Sequence, residues 1–162
     1  MENTYQKPVK KADSETMLSM IAPLIENGKT VKLTVTGYSM YPLVTSRRDA
    51  VLLGKVDALK VGDVPLFQRP DGSFILHRIV GKKNGAFKLL GDYETNIEYP
   101  VYPEQVVAVA KGFYRKERFI SCDSCGYKAY AFLWRLLRPI RPLLLTLLAK
   151  LAYRKGKRNK EK

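Results

Sequence analysis

The chain has few of the residues that build disulfide frameworks and metal centres. Its 162 residues include two cysteines and one histidine. Two cysteines cannot form the set of disulfides that stabilises a small secreted domain. The CxxC motif of Cys122 and Cys125 supplies two of the four ligands of a structural zinc ion. We interpret this motif as a turn with two reduced thiols and expect no metal or cofactor. A zinc ion shared between two chains is the alternative.

Long hydrophobic runs are also missing. The first 13 residues are polar, so we expect neither a secretory signal nor an N-terminal membrane anchor. In the leucine-rich segment 127–153 the longest charge-free run, at 142–149, has eight residues. A single membrane span needs about 20 predominantly apolar residues. The sequence therefore predicts no transmembrane helix in this segment.

Acidic residues are scarce in the last third of the chain. Residues 1–110 contain 14 basic and 12 acidic residues, whereas residues 111–162 contain 15 and 3. This asymmetry indicates an anionic partner, either lipid headgroups or nucleic acid. An apolar, aromatic segment at 127–153, followed by a basic cluster at 154–160, favours an anionic membrane surface. We expect no specific nucleic acid partner. A helix packed on the rest of the protein, with a solvated tail, is the alternative.

Short strand patterns fill the middle of the chain. From residue 30 onward apolar and polar residues alternate, with Gly- and Pro-containing turns between the alternating runs. The predicted strands lie near residues 30–36, 49–54, 63–68, 73–80, 85–90 and 105–114. The turns at 69–72 (Arg-Pro-Asp-Gly) and 83–85 (Lys-Asn-Gly) are typical of hairpins. The pattern predicts a mainly β fold, a compact antiparallel sheet that is coiled or barrel-like.

A helix is predicted before the first strand. Residues 1–12 are interpreted as a disordered lead-in, and Asp13 or Ser14 caps the helix that follows. Asn27-Gly28 ends it. Its apolar residues at helical spacing are Met17, Ile21, Leu24 and Ile25.

The β domain, including this helix, is predicted to span residues 13–120. Residues 121–162 then comprise the CxxC turn, an amphipathic helical segment and the basic tail. Pro139 and Pro142 are expected to divide the segment into two helices, because proline disrupts a helix interior.

One serine occupies a bend where its side chain can face a cleft. Gly37 permits a turn closed to other residues, and Pro42 cannot extend a central strand, so the two bracket Ser39 at a strand end. A serine hydroxyl needs a base to become a nucleophile. His77 is the single histidine, and in a strand it shares a face with Ile75 and Ile79. An ordinary polar turn and a buried structural histidine are the alternatives.

Three carboxylates follow the histidine. Asp92, Glu94 and Glu98 lie in one polar run, and an orienting carboxylate can fix the tautomer of an imidazole. A polar loop without catalytic role is the alternative, because aspartate is common in turns.

These stretches, in this order, resemble the signal peptidase I and LexA-type serine peptidase superfamily. The resemblance covers roughly residues 29–112. The first matching stretch is Gly-Tyr-Ser39-Met-Tyr-Pro, followed by Arg48-Asp49-Ala-Val. The second is Gly62-Asp63-Val-Pro-Leu-Phe, followed by Leu-His77-Arg-Ile-Val. The third is Leu-Gly-Asp92, which precedes the run Val-Val-Ala-Val-Ala at 106–110. Bacterial members have lysine as the general base, whereas forms from the endoplasmic reticulum and archaea have histidine. The chain is similar to the histidine kind.

The resemblance implies a serine endopeptidase that cleaves a precursor or leader peptide. Ser39 would be the nucleophile and His77 the general base. Asp92 matches the family's Gly-Asp pair and is preferred over Glu98 as the carboxylate that orients the imidazole. Asp63 and Arg78 match positions that are structural in the family.

The resemblance also implies how substrate is held. The Ser39 backbone N–H would stabilise the oxyanion. Gly37 stands where many signal peptidases have a second serine, so Tyr38, Thr36 or water would replace that hydroxyl. We expect Gly37, Tyr38, Met40 and Pro42 to contact an extended substrate with small side chains before the cut.

The expected location of the protein is peripheral, at the cytoplasmic face of a membrane.

Two other functions stay open. The Gly-x-Ser-Met form at 37–40 is closer to LexA-like regulators that cleave themselves. However, only about 30 residues precede the β domain, too few for a helix-turn-helix domain and a linker, and the family's Ala-Gly self-cleavage pair is absent. A catalytically inactive membrane scaffold with the same fold is the second alternative, suggested by Gly37.

Overall fold

A computed structural model of the chain describes residues 14–147. The predicted lead-in at 1–12, the cap at Asp13 and the basic cluster at 154–160 lie outside the described residues. The prediction of the fold class is confirmed. The protein is mainly β, with a strongly curled antiparallel sheet resembling half a barrel, a short N-terminal helix and C-terminal helices.

Nine strands form within residues 14–147. They are β1 (Val31–Thr34), β2 (Ala50–Gly54), β3 (Pro65–Gln68), β4 (Phe74–Leu76), β5 (Arg78–Lys83), β6 (Ala86–Leu90), β7 (Glu98–Val101), β8 (Val106–Arg115) and β9 (Arg118–Ser121). The single strand predicted at 73–80 is wrong. The chain leaves one sheet after β4 and enters another at β5, and His77 is the residue between them. Strands β7 and β9 were not predicted.

The larger sheet is built around β8. Its order is β1-β2-β8-β3-β4, and every pair is antiparallel. β3 pairs with the first half of β8 and β9 with the second half, so these two strands share one edge of β8. Irregular register between Leu52 and Leu53 and between Leu66 and Phe67 interrupts the ladders. Such irregularities increase local twist, which helps the sheet to curl.

The smaller sheet has the order β5-β6-β7. The β5–β6 turn is the predicted hairpin, and Asn84 and Gly85 both have positive φ, as a tight hairpin turn requires. Backbone bonds tie β5 to the loop before β3. The Ile79 N–H donates to the Asp63 carbonyl at 2.8 Å, and the Gly62 N–H donates to the Ile79 carbonyl at 2.9 Å.

Helix α1 (Ser14–Glu26) covers one side of the main core. It ends where predicted, because Gly28 adopts a φ of 72° and donates its N–H to the Ile25 carbonyl at 3.0 Å. Ile21 and Ile25 are buried, as expected from their spacing, but Leu24 is exposed. The side chain of Met17 lies outside what the structure describes.

Two hydrophobic clusters stabilise the domain. The larger lies among α1, the main sheet and the C-terminal helix, and it contains Leu53, Leu66 and Phe113. The smaller is formed by Phe67, Ile79, Phe87, Leu89 and Val101. Apolar burial of this extent is the main source of folding free energy.

The C-terminal segment packs on the domain as separate helical pieces. Helix α2 (Cys125–Leu136) is capped by the Ser124 hydroxyl, and a short 3-10 turn (Arg138–Ile140) separates it from helical residues 141–147. Pro139 and Pro142 lie at this division, as predicted. No helix within residues 14–147 is long and apolar enough to cross a bilayer.

Candidate active site

Ser39 lies on a bend after β1. Gly37 begins the bend with a φ of 91°, a conformation that favours glycine, and open space surrounds it. The Gly37 N–H donates to the Ser46 hydroxyl oxygen at 3.1 Å, which closes the loop across nine residues. Ser39 itself is half-buried.

The backbone of Ser39 packs against the loop that follows β6. The Tyr93 N–H donates to the Ser39 carbonyl at 2.7 Å. Gly91 is equally close, since a Cβ added to it would lie 2.7 Å from the same oxygen and 3.0 Å from the Glu94 side chain. This loop, residues 91–94, therefore determines where Ser39 is held.

His77 is nearly inaccessible, with 2% of its surface exposed. The imidazole lies against Phe67, with 6.2 Å between ring centroids. Its Nδ1 is 3.1 Å from Glu98 Oε2, and its Nε2 is 3.4 Å from Glu94 Oε2. Nδ1 is buried and makes no hydrogen bond, so its contact with Glu98 is one of proximity.

Glu98 is shared between the histidine and Arg69. The Arg69 guanidinium donates through Nε to Oε1 and through Nη2 to Oε2, the latter at 3.0 Å. Fork-shaped pairing of this kind holds a carboxylate in one orientation. Arg69 lies in the β3–β4 hairpin turn, and its role could not be seen in the sequence, where the run 69–72 indicates only a turn.

Burial lowers the pKa of His77 below its ordinary value. The Glu94 and Glu98 carboxylates oppose this effect, and Arg69 reinforces it. The net direction is downward, so the imidazole is neutral at pH 7. A neutral imidazole is the form that can accept a proton.

The choice of Asp92 as the carboxylate beside His77 is wrong. Both oxygens of Asp92 bind Arg78, with Nε to Oδ1 at 2.9 Å and Nη2 to Oδ2 at 2.7 Å. Neither carboxylate nor guanidinium is accessible to solvent. The structure places the alternative, Glu98, beside the imidazole.

The Arg78–Asp92 pair connects the β sheets to helix α2. The Arg78 Nη1 donates to the Tyr127 hydroxyl at 3.0 Å, and the Tyr130 hydroxyl donates to Asp92 Oδ2 at 3.1 Å. Trp134 Nε1 donates to the Asp92 carbonyl at 3.1 Å. Burial by itself would lower the pKa of Arg78, but the Asp92 charge raises it. This ion pair anchors the loop that carries Glu94.

The four residues expected to contact substrate divide into two groups. Gly37 and Tyr38 are exposed and Pro42 is partly exposed, so these three line an open surface beside Ser39. Met40 is buried in the larger hydrophobic cluster. The Met40 side chain therefore does not line this open surface, contrary to the expectation that it shares with the other three residues.

Cys125 begins α2, and Cys122 lies three residues before it. Both are free thiols, Cys122 half-buried and Cys125 exposed. Burial raises the pKa of Cys122 to about 11. A thiol with such a pKa is a poor nucleophile at neutral pH. Within residues 14–147, no cluster of three or more His, Cys, Asp or Glu residues is arranged to hold a metal ion.

Comparison with known proteins adds no family to these observations. No protein-family model matches the chain. No curated protein matches it either. What this site can do is therefore inferred from the positions and chemistry of its own residues.

Proposed function

We propose that the protein is a serine endopeptidase of the signal peptidase type, which cleaves a precursor or leader peptide at a membrane surface. One observation carries the proposal. The segment that follows β6 binds the Ser39 backbone through Tyr93 and contacts both nitrogens of His77 through Glu94 and Glu98. The candidate nucleophile and the candidate base therefore contact the same segment, and Glu98 is a carboxylate beside the base, as serine hydrolysis by a Ser-His pair requires.

In the proposed reaction the Ser39 hydroxyl attacks the peptide carbonyl. The reaction requires the proton of His77 on Nδ1, the nitrogen nearest Glu98, so that Nε2 can accept the proton from Ser39 Oγ. The imidazolium then protonates the leaving amine, and water hydrolyses the acyl-enzyme. Glu94 Oε2 lies 3.4 Å from Nε2 in the free protein, so the proposed reaction requires the Glu94 side chain to move aside when substrate binds. Catalytic hydrogen bonds are often poorly aligned before substrate arrives.

The oxyanion requires donors that are already in place. The Ser39 N–H is one candidate. The Ser46 hydroxyl is a second, which the sequence did not indicate. Its oxygen accepts the Gly37 N–H, which places the hydroxyl beside the position where many signal peptidases have a second serine, and a hydroxyl that accepts one hydrogen bond can also donate one.

An apolar outer face of the C-terminal segment supports attachment to a membrane. Its exposed members are Phe132, Leu133, Leu136, Ile140, Leu143 and Leu147. The exposed cations Arg135 and Arg138 lie among them. An apolar face flanked by arginine suits insertion between the headgroups of an anionic bilayer.

The test is cleavage of internally quenched peptides with alanine or serine before the scissile bond. Ser39→Ala should abolish cleavage, because no other group supplies the nucleophile. Ser19→Ala, which removes an exposed hydroxyl from α1, is the matched control and should cleave like wild type. Equal rates for Ser39→Ala and wild type would refute the proposal. Ser39-dependent cleavage of the protein's own chain would instead favour the self-cleaving alternative.

A further inference from the structure

Arg141 is a buried cation that binds backbone carbonyls. It is the first of the helical residues 141–147, and 2% of its surface is exposed. Its Nη2 donates to the Trp134 carbonyl at 3.0 Å, and the guanidinium lies 5.4 Å from the Trp134 ring centre. Its Nη1 donates to the Gly91 carbonyl at 3.3 Å, with the Glu94 carbonyl at 3.5 Å. One side chain thus bridges the C-terminal helices and the loop 91–94.

This placement is costly for stability. Burial lowers the pKa of Arg141, and the nearby cation Arg78 adds to the effect. The Asp92 charge opposes this effect. A buried guanidinium requires such compensation, and its removal would leave the carbonyls that it binds without a donor. Arginine at this position therefore depends on its contacts with the loop 91–94 and Trp134.

The loop that Arg141 holds is the one that positions the candidate catalytic groups. Its Tyr93 N–H binds the Ser39 carbonyl, and its Glu94 side chain reaches His77. Gly91 and Glu94, whose carbonyls Arg141 binds, begin and end this loop. Losing the guanidinium would loosen the two ends of the loop, while Asp92 between them stays bound to Arg78 and Trp134, and it removes no group that touches substrate.

We propose that Arg141 is a positioning residue for the active site, which fixes the loop 91–94 against Ser39 and His77 from the side of the C-terminal helices. The proposal rests on the proposed peptidase function. It also joins the membrane-facing segment to the catalytic groups, because Trp134 and Arg141 belong to that segment and bind the loop directly.

The first test compares Arg141→Met with Arg118→Met. Methionine keeps a long unbranched chain, and Arg118 is an exposed arginine of β9. For Arg141→Met we expect kcat to fall about 10- to 100-fold on the quenched peptides, with KM little changed, because small misplacements of catalytic groups have effects of this size. Its melting temperature should fall as well, because three carbonyls lose their donor, so kcat is measured well below that temperature. Arg118→Met should match wild type in kcat, KM and melting temperature. A purely structural role predicts wild-type kcat for folded Arg141→Met.

The second test needs no activity. Amide hydrogen exchange at Tyr93 reports its bond to Ser39, and exchange should be faster in Arg141→Met than in wild type or Arg118→Met. Unchanged Tyr93 exchange together with unchanged kcat would overturn the inference. If wild type shows no Ser39-dependent cleavage, the peptidase proposal fails, and the exchange measurement still decides whether Arg141 holds the loop.

A conservative variant covers the case in which Arg141→Met does not fold. Arg141→Lys keeps the charge but has no fork to reach Trp134 and the loop together. We expect intermediate kcat and intermediate Tyr93 exchange. Wild-type values for both in the lysine variant would also overturn the inference.

Discussion

The Nδ1 atom of His77 lies 3.1 Å from Oε2 of Glu98, in a part of the protein where the imidazole is almost completely buried. The same carboxylate binds Arg69, which comes from a different hairpin. Glu98 therefore has a fixed position next to the candidate base. An arrangement of this kind can hold one tautomer of histidine and stabilise its protonated form.

Glu98→Gln should lower kcat by about 100- to 10,000-fold, because the amide lacks the charge that stabilises the imidazolium and can stabilise the wrong tautomer. The measurement is steady-state cleavage of the quenched peptides. Glu104→Gln, at an exposed position before β8, is the matched control and should cleave normally. Normal cleavage by Glu98→Gln would remove this residue from the mechanism.

The pH dependence should reflect the lowered pKa of His77. The value of kcat/KM should rise with pH through an apparent pKa below 6.5, since the neutral imidazole is the active form. Glu94→Gln should move this acidic limb of the pH profile of kcat/KM to still lower pH, because the Glu94 charge raises the pKa of His77. A limb at or above 6.5 in wild type would contradict the assignment.

The same shift affects stability. The unfolded histidine binds a proton more readily than the folded one, so His77 favours folding above pH 6.5. That contribution is lost as pH falls below 6.5 toward the folded pKa. Denaturant titrations of wild type and His77→Gln should show that wild type loses more stability over this acidic range. Parallel pH curves for the two proteins would argue against the shift.

Asp92→Asn should lower the free energy of unfolding by about 3–5 kcal/mol, because it leaves the Arg78 cation buried without its counter-ion. Urea denaturation measures the change. Asp123→Asn is the control, since Asp123 is exposed and its ion pair with Lys128 contributes only about 0–1 kcal/mol. If the two variants were equally stable, the buried pair would not anchor the fold.

Gly91→Ala should reduce cleavage, because its Cβ would lie 2.7 Å from the Ser39 carbonyl and push that backbone away. Overpacking of this kind costs about 1–3 kcal/mol of stability. Gly126→Ala is the matched control, because a Cβ there meets open space within helix α2. Wild-type cleavage by Gly91→Ala would show that Ser39 can shift without consequence.

Membrane binding is best tested by point substitutions on the outer face. Deleting the segment from residue 127 onward would remove the tyrosine and tryptophan partners of Arg78 and Asp92. The truncated protein would then be destabilised, and a loss of vesicle binding could not be attributed to the membrane-facing side chains. Leu136→Glu with Leu143→Glu should reduce co-sedimentation with vesicles containing phosphatidylserine. Leu24→Glu, at an exposed leucine of α1, should not. If the Leu136→Glu, Leu143→Glu double variant sedimented with the vesicles as much as Leu24→Glu does, attachment through this face would be contradicted.

Local patterns were sufficient to predict most of the fold. Alternating residues and hairpin turns depend on neighbours in the chain, so five of the six predicted strand regions contain a strand each. The region 73–80 failed because its alternation continues through His77, where the chain passes between sheets. Strand β7 contains Pro100, a residue that argues against a strand in any local pattern.

The sequence by itself determined the mainly β fold, the bend at Ser39 and the single imidazole available as a base. Only the tertiary structure decided which carboxylate meets that imidazole. His77 and Arg78 are adjacent, yet one reaches Glu98 and the other binds Asp92. Arg69 and Arg141, from a distant hairpin and the C-terminal helix, hold Glu98 and the loop before it. Ion pairs and packing between distant segments depend on the folded arrangement, so they cannot be predicted from spacing along the chain.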